Sequence, residues 1–535
     1  MSQATVNWGD GTAAEQVPVT GNAQAWSFTG KQHTYAAPGS YSIVVTGLSG
    51  GTDAEPVTVN AAPTISGTPV SAFTLTGTTL TFAKPAGLVV GDWLLVWIRA
   101  QVQAGVDWSC PGWGRFGPLF VANSADRDSG FFLKPIVDLT QEPSSYTFGR
   151  STTGRNIGTI MVLKGVGKDA QSGFYDNFSG LGTSPHKYTD PYTLDTLPAL
   201  QFYGIHHEHS ANVVDTMQTP PPGFTLRASA VTDTVLANAR TSLYLYSAAV
   251  NTGQGLKADA TLAGGTSGIA ESVALRGSVN HRFANVAAAL AKPGVTSAHR
   301  GNSVTYAEMS KNAYLQSDAR GYSVLEYSVA RTSDGVWFGL HDEDINRTSK
   351  TTGQPAASAM TWAQVQGFKN LLALDNIPQD YYRFDTFLAD WANTHVVMVD
   401  PKYAWLTGGS PRDEFWALLA PYPKDHIIIK GFIDSMSLAN AAKDHGYQSW
   451  GYAYEADTTN ASFTTWCAAW TILGMDINAS TTAWTAIKAQ ATPSGKKIIG
   501  HIATSREMYA SAITKGADGV QVASTAAVPT VSAAP

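Results

Sequence analysis

From residue 295 to residue 524 the chain alternates strand-length β-type runs with stretches of helical spacing, and several runs release polar groups at their C-terminal ends. VTSAHR ends in His299 and Arg300, YSVLEYSV carries Glu326, VWFGLHD ends in His341, and HVVMVDPKY ends in Asp400 and Lys402. Parallel strands that alternate with helices and present polar side chains at one rim describe the active face of an α/β barrel. DHIIIKGF, YQSWGYAYE, GMDINAS, KKIIGHIA and GVQVAS supply further runs. That makes nine candidates for eight places, and GMDINAS is the one to demote. Helical spacing appears in TYAEMSKNAYLQSDARG, stopped by Gly321, in SREMYASAITKGA, and in the short ANVAAALAK. Two imidazoles, two carboxylates, Arg300 and Lys402 at one rim suit a phosphate ester. Cations would face the phosphoryl oxygens, carboxylates a divalent ion, and histidines would move protons.

The same residues resemble the glycerophosphodiester phosphodiesterase family. His299-Arg300-Gly301, Thr332-Ser333-Asp334-Gly335, His341-Asp342 and Arg347-Thr348 stand in the family's order for its HRG, T-x-D-G, HD and R-T motifs. Ala307-Glu308-Met309-Ser310 falls in the P-E-N-T slot and keeps the acid and a hydroxyl. Two departures concern charge. The family's E-x-D becomes Glu326-Tyr327-Ser328, and Asp400 stands for the glutamate of E-x-K. The late W-T-V-N strand becomes His501-Ile502-Ala503-Thr504, and the terminal T-D becomes Ala523-Ser524. The resemblance implies a TIM barrel over about 281–526, catalytic His299 and His341, and phosphate contacts from Arg300 and Lys402. It also implies a Ca2+ or Mg2+ ion on Glu326 and Asp400, helped by Glu308 and Ser328. Hard divalent ions want several charged oxygens, and Ser328 is neutral, so weakened metal affinity is expected. Asp334-Gly335 reads as a hairpin turn without a catalytic role.

Ahead of the barrel the chain is all-β in pattern. Residues 1–61, with Trp8-Gly9-Asp10-Gly11-Thr12, His33-Thr34-Tyr35, Pro38-Gly39 and Tyr41, look like a PKD-type immunoglobulin-like domain. Asp10 is expected to cap its turn rather than bind calcium. From 62 to 280 the sequence answers itself about 110 residues on: GDWLLVWIRAQ is matched by LPALQFYGIHHEH, and Pro111-Gly112-Trp113 by Pro222-Gly223-Phe224. The repeat allows two tandem β-sandwiches or one sandwich built from two halves. Two units, 62–169 and 170–280, are the preferred reading, followed by the barrel and a low-complexity tail, 527–535. Neighbours on a strand face opposite ways, so His206-His207-Glu208-His209 is not expected to hold a metal. Trp108, Trp113 and Phe116 are candidates for a glycan platform or for plugging a sandwich end, and Asp126-Arg127-Asp128 for a solvated turn.

Composition sets the remaining bounds. A net charge of −6 with 14% charged residues, among 535, offers nothing to nucleic acid. The two cysteines, Cys110 and Cys467, fall in separate segments and make no disulfide framework. No apolar run is long enough to span a membrane, and the first residues read as strand, without a leader pattern. Extracellular-type modules without an export signal fit a virion protein released by lysis, and the layout is similar to minor tail proteins of actinobacterial phages. The expected partners are other tail proteins and a host-envelope glycerophosphate polymer, glycolipid or phospholipid headgroup, with a homo-oligomer such as a trimer at the tail tip. The competing readings are a decayed barrel that binds envelope phosphodiesters without cutting them, and a purely structural tail-tip element.

Overall fold

A computed structural model describes residues 3–18, 20–22, 25–27, 39–46, 52–59, 63–101, 108–121, 127–167, 176–180, 186–187, 199–209, 220–231, 240–250, 259–260, 267–276, 282–374, 377–402, 409–525 and 528. Its C-terminal part is a closed barrel of eight parallel strands. They are Val295–Ala298 (β1), Val324–Arg331 (β2), Val396–Pro401 (β3), Ile427–Phe432 (β4), Gln448–Ala453 (β5), Ile472–Asp476 (β6), Ile498–Ala503 (β7) and Gly519–Val522 (β8). β1 pairs with β8 through Val295 and Gly519, and with β2 through Ala298 and Leu325, which closes the ring. Strands buried on both faces read as continuous apolar runs, as Ile427-Ile428-Ile429 does.

Side chains alternate across each strand, and the two faces feed two cores. Leu325, Tyr327, Val397, Val399, Ile427 and Ile429 point outward and pack against the helices. Val324, Val396, Met398, Ile428, Trp450 and Ile499 fill the lower barrel interior. Two residues further along, the same inward rows carry Glu326 and Ser328 on β2, Asp400 on β3 and Lys430 on β4. The interior therefore turns from apolar to ionic toward the strands' C-terminal ends.

The helices follow their sequence signals. Lys311–Ala319 is capped by Ser310, Arg506–Lys515 by Ser505, and Val286–Ala291 by Asn285, each accepting a backbone N–H. Two strand assignments are corrected. Ile472–Asp476, which overlaps the start of the run demoted above, is barrel strand β6. VWFGLHD instead yields Trp337–Gly339, a ninth strand antiparallel to β2 outside the closed ring. The tight Thr332–Gly335 turn, with Gly335 at φ +89°, returns the chain at once. A turn that short can only make an antiparallel neighbour, because a parallel one needs a crossover of a dozen or more residues.

Each half of the duplicated region forms one five-stranded antiparallel sheet. Trp93, Leu95, Trp97 and Phe131 of the first share a core with Phe202, Leu243, Leu245 and Val273 of the second. The halves meet face to face, the second of the two arrangements that the repeat allows. Trp108 and Trp113 are buried against Phe148 and its neighbours at the first sheet's other face, so they plug this end; the Phe116 side chain lies outside the described residues. His206 is buried against the Trp97 ring, while the side chains of His207, Glu208 and His209, and those of Asp126, Arg127 and Asp128, also lie outside the description. The N-terminal segment forms a small sheet from Gln3–Asn7, Glu15–Pro18, Gly39–Thr46 and Thr52–Val59. Asp10 accepts from the Thr12 N–H and hydroxyl, which is turn capping. His33, Thr34, Tyr35 and Pro38 lie outside the described residues.

Sandwich and barrel touch around Gly112 and at Gln141, whose Oε1 accepts from Gln379 Nε2 at 2.8 Å. The Gly112 carbonyl accepts from the Tyr306 hydroxyl at 3.0 Å and from Arg320 Nη2 at 2.9 Å. Arg506 Nη2 donates to the Arg115 carbonyl at 3.2 Å. No helix among the described residues is long and apolar enough to cross a membrane.

Candidate active site

The His299-Arg300-Gly301 turn opens the site at the end of β1. Arg300 takes a left-handed backbone, φ +50°, and this aims its N–H at Glu326 Oε2, 2.6 Å away. Gly301 follows at φ +77°, and a Cβ there would come within 3.1 Å of Ala313 and Tyr314. Left-handed geometry and a tight floor both call for glycine. Strain concentrated at one turn is a feature of functional sites.

His299 is buried, with Nδ1 3.0 Å from the Ser303 hydroxyl. Its Nε2 has no hydrogen-bond partner among the described residues. Burial, then the charges of Arg300 and Lys430, hold it well below the usual imidazole range, so it rests neutral. His341 is placed by the hairpin, since Leu340 N–H donates to the Ser328 carbonyl. Its Nδ1 lies 2.8 Å from Asp342 Oδ1. Asp342 is gripped by Arg347, and Arg347 by Glu308 at 2.6 Å. Burial lowers the His341 pKa and Asp342 raises it, with a net lowering to which Arg300 and Lys402 add.

Arg300 and Lys402, the expected phosphate contacts, each sit on a carboxylate. Arg300 Nη1 is 3.2 Å from Glu308, and Lys402 Nζ is 2.7 Å from Asp400 and 2.8 Å from the Tyr452 hydroxyl. Burial lowers the Lys402 pKa, partly offset by Asp400. Glu308 therefore anchors two guanidiniums, which is not the role of a metal ligand.

The four nominated metal ligands do not present an open donor set. Glu326, fully buried, accepts from Arg300 N–H, from Lys430 Nζ at 3.1 Å and from Ser328 Oγ at 3.2 Å. Burial would push its carboxyl up, but Lys430 and Arg300 outweigh this and hold it below the usual range. Asp400 Oδ2 faces Lys402 and, at 3.6 Å, Lys430. Among the described residues no three His, Cys, Asp or Glu side chains group so as to hold a metal ion. As placed, these residues do not fit a divalent ion.

Sequence reasoning missed Lys430, Asp342 and Arg347 as site members. The last two stand in the HD and R-T motifs. Lys430 was visible as a lone cation closing a run of three isoleucines, with the inward parity of Ile428. His501, on β7, is a further buried imidazole, lowered to about 3 by burial and by Lys430, with Nε2 3.2 Å from the Ala453 carbonyl.

Residues 299–405 match the Glycerophosphoryl diester phosphodiesterase family. No curated protein sequence matches the chain. Among solved structures it is similar to a glycerophosphoryl diester phosphodiesterase from Parabacteroides distasonis, at 14% identity over 46% of this chain and 90% of that one, with a TM-score of 0.36. It is similar to a glycerophosphodiester phosphodiesterase from Thermotoga maritima, at 16% identity over 44% and 96%, with a TM-score of 0.36. A third is an Oleispira antarctica phosphodiesterase in complex with sn-glycerol-3-phosphate, at 14% identity over 44% and 94%, with a TM-score of 0.35.

Proposed function

We propose that the barrel mouth binds and hydrolyses a phosphodiester of glycerol or a similar alcohol. The observation that carries this reading is the pairing of two resting-neutral imidazoles with a cradle of fixed cations at the strand ends. A diester anion would lie against Arg300 and Lys402, which neutralise charge growing on the phosphoryl oxygens. His341 Nε2 takes the proton of the attacking water, because Asp342 on Nδ1 fixes the ring and stabilises the imidazolium as it forms. A bound anion offsets the cations that depress His299, so this imidazole takes up a proton from solvent as substrate binds. Oxygen attacks phosphorus, the P–O bond to the alcohol breaks, the leaving oxygen takes that proton from His299, and His341 returns its own to solvent.

Hydrolysis of glycerophosphocholine by the full chain tests this. His299→Ala and His341→Ala should each lower turnover by roughly a hundredfold or more; full activity in both rejects the assignment. Ser328 and the occupied carboxylates favour one rival, a barrel that recognises such diesters without cleaving them. In that case glycerol phosphate binds while no variant or wild type turns over.

For the whole chain we propose a place in a phage tail tip, where the β domains attach and space the barrel against glycerophosphate groups of a host envelope. The order of modules in the sequence supports this reading. Binding of the full chain to actinobacterial envelopes, lost when glycerophosphate polymers are stripped, tests it; retention on stripped envelopes rejects it.

A further inference from the structure

We propose that the ammonium of Lys430 is a built-in counter-ion standing between Glu326 and Asp400, in the place where a divalent metal would be expected, so that the phosphate pocket works on side-chain cations alone. This rests on the phosphodiester reading above and specifies how that site is charged.

The position of Lys430 follows from strand parity. Ile428 lies in the apolar interior, and two residues on Lys430 points the same way, one layer nearer the mouth. Three oxygens from three strands surround its Nζ: Glu326 Oε1 at 3.1 Å, Gln521 Oε1 at 3.4 Å and Asp400 Oδ2 at 3.6 Å. Two of the ammonium's three N–H groups are hydrogen-bonded, to Glu326 and Gln521, and Asp400 is an ion-pair neighbour. Held in this way below the mouth, Lys430 acts on a ligand through its field, while Arg300 and Lys402 make contact. The rings of Trp450 and Tyr452 each lie 5.1 Å from Nζ, within cation–π range. The side chain is 6% exposed, which leaves it little freedom to swing away.

Charge accounting points the same way. Ser328 brings no charge where the E-x-D motif would bring a carboxylate, and its hydroxyl is already turned to Glu326. Lys430 adds one positive charge. One carboxylate fewer and one ammonium more together equal the charge a divalent ion would supply. Around the mouth, Glu308, Glu326, Asp342 and Asp400 face Arg300, Arg347, Lys402 and Lys430. A divalent ion on Glu326 and Asp400 would sit about 2.0–2.6 Å from their oxygens, in repulsive contact with an ammonium that cannot retreat.

The test titrates chelator-treated full-length protein with CaCl2 and with MgCl2 by calorimetry, and separately with sn-glycerol 3-phosphate with and without chelator. The wild type should take up neither metal stoichiometrically, and glycerol phosphate should bind equally in both conditions. Lys430→Met should weaken glycerol phosphate at least tenfold, Lys430→Arg should retain it, and Ser328→Asp with Lys430→Met should gain one calcium per chain. One stoichiometric metal in the wild type, lost in Glu326→Gln, overturns the proposal, as does glycerol phosphate binding that needs metal. These wild-type titrations stand even if a variant misfolds. A wild type that takes neither metal nor glycerol phosphate, with calcium gained by the double variant, sustains the counter-ion and rejects the phosphodiester reading instead.

Discussion

Replacing Asp342 by asparagine isolates one link of the proposed chemistry. Asp342 Oδ1 meets His341 Nδ1 at 2.8 Å, and its other oxygen is held by Arg347. Asparagine keeps the volume but removes the charge that stabilises His341 as it takes a proton. A hydrogen bond to a charged group contributes about 1.5–3 kcal/mol, which corresponds to roughly 10- to 150-fold in kcat. Arg347 keeps Glu308 as a partner, and the Asp342 side chain is 29% exposed, so folding should change little. The pH dependence has a defined sign. Burial already lowers the His341 pKa and Asp342 opposes this. Without Asp342 the pKa drops further, so the acid limb of the kcat profile moves to lower pH while the plateau falls. Turnover of glycerophosphocholine between acid and neutral pH, with a melting curve as control, measures both. A plateau within threefold of wild type, or a limb that moves to higher pH, refutes the dyad.

Other consequences can be measured directly. Gly301→Ala forces a Cβ into left-handed backbone, costing about 1–2 kcal/mol, and should lower the barrel's melting temperature by about 2–8 °C by calorimetry. Glu308→Gln removes a buried carboxylate from two guanidiniums, a loss of about 3–5 kcal/mol; urea unfolding followed by tryptophan fluorescence should shift accordingly. Arg320→Met takes one of two donors from the Gly112 carbonyl, about 1 kcal/mol. If that clasp couples sandwich to barrel, calorimetry should show their unfolding transitions moving apart.

The tandem sheets and the barrel differ in how much of their arrangement could be read from residues alone. The helical stretches and the stop at Gly321 were legible from spacing, but the stretch from Thr305 becomes helix only at Lys311, where the Ser310 side chain accepts from the Ala313 N–H. The His299, Glu326, His341 and Asp400 positions were legible because their motifs recur in order. The hairpin at Thr332–Gly335 was legible too, and taken at its word it excludes Trp337–Gly339 from the parallel ring.

By itself the sequence determined the α/β period, the strand ends that carry chemistry, the duplicated sheets and the loss of a carboxylate at Ser328. Only the tertiary structure decided that the two sheets share one core, because face-to-face packing depends on which apolar faces meet across long separations. It alone decided the role of Glu308, which clamps Arg300 and Arg347, residues on either side of it in the chain. Lys430 shows the reason most clearly. Strand parity can point its side chain inward, but closure of the barrel brings β2, β3 and β8 around it. Coulomb interaction depends on distance in space, so a cation 104 residues from Glu326 in sequence becomes its nearest counter-charge.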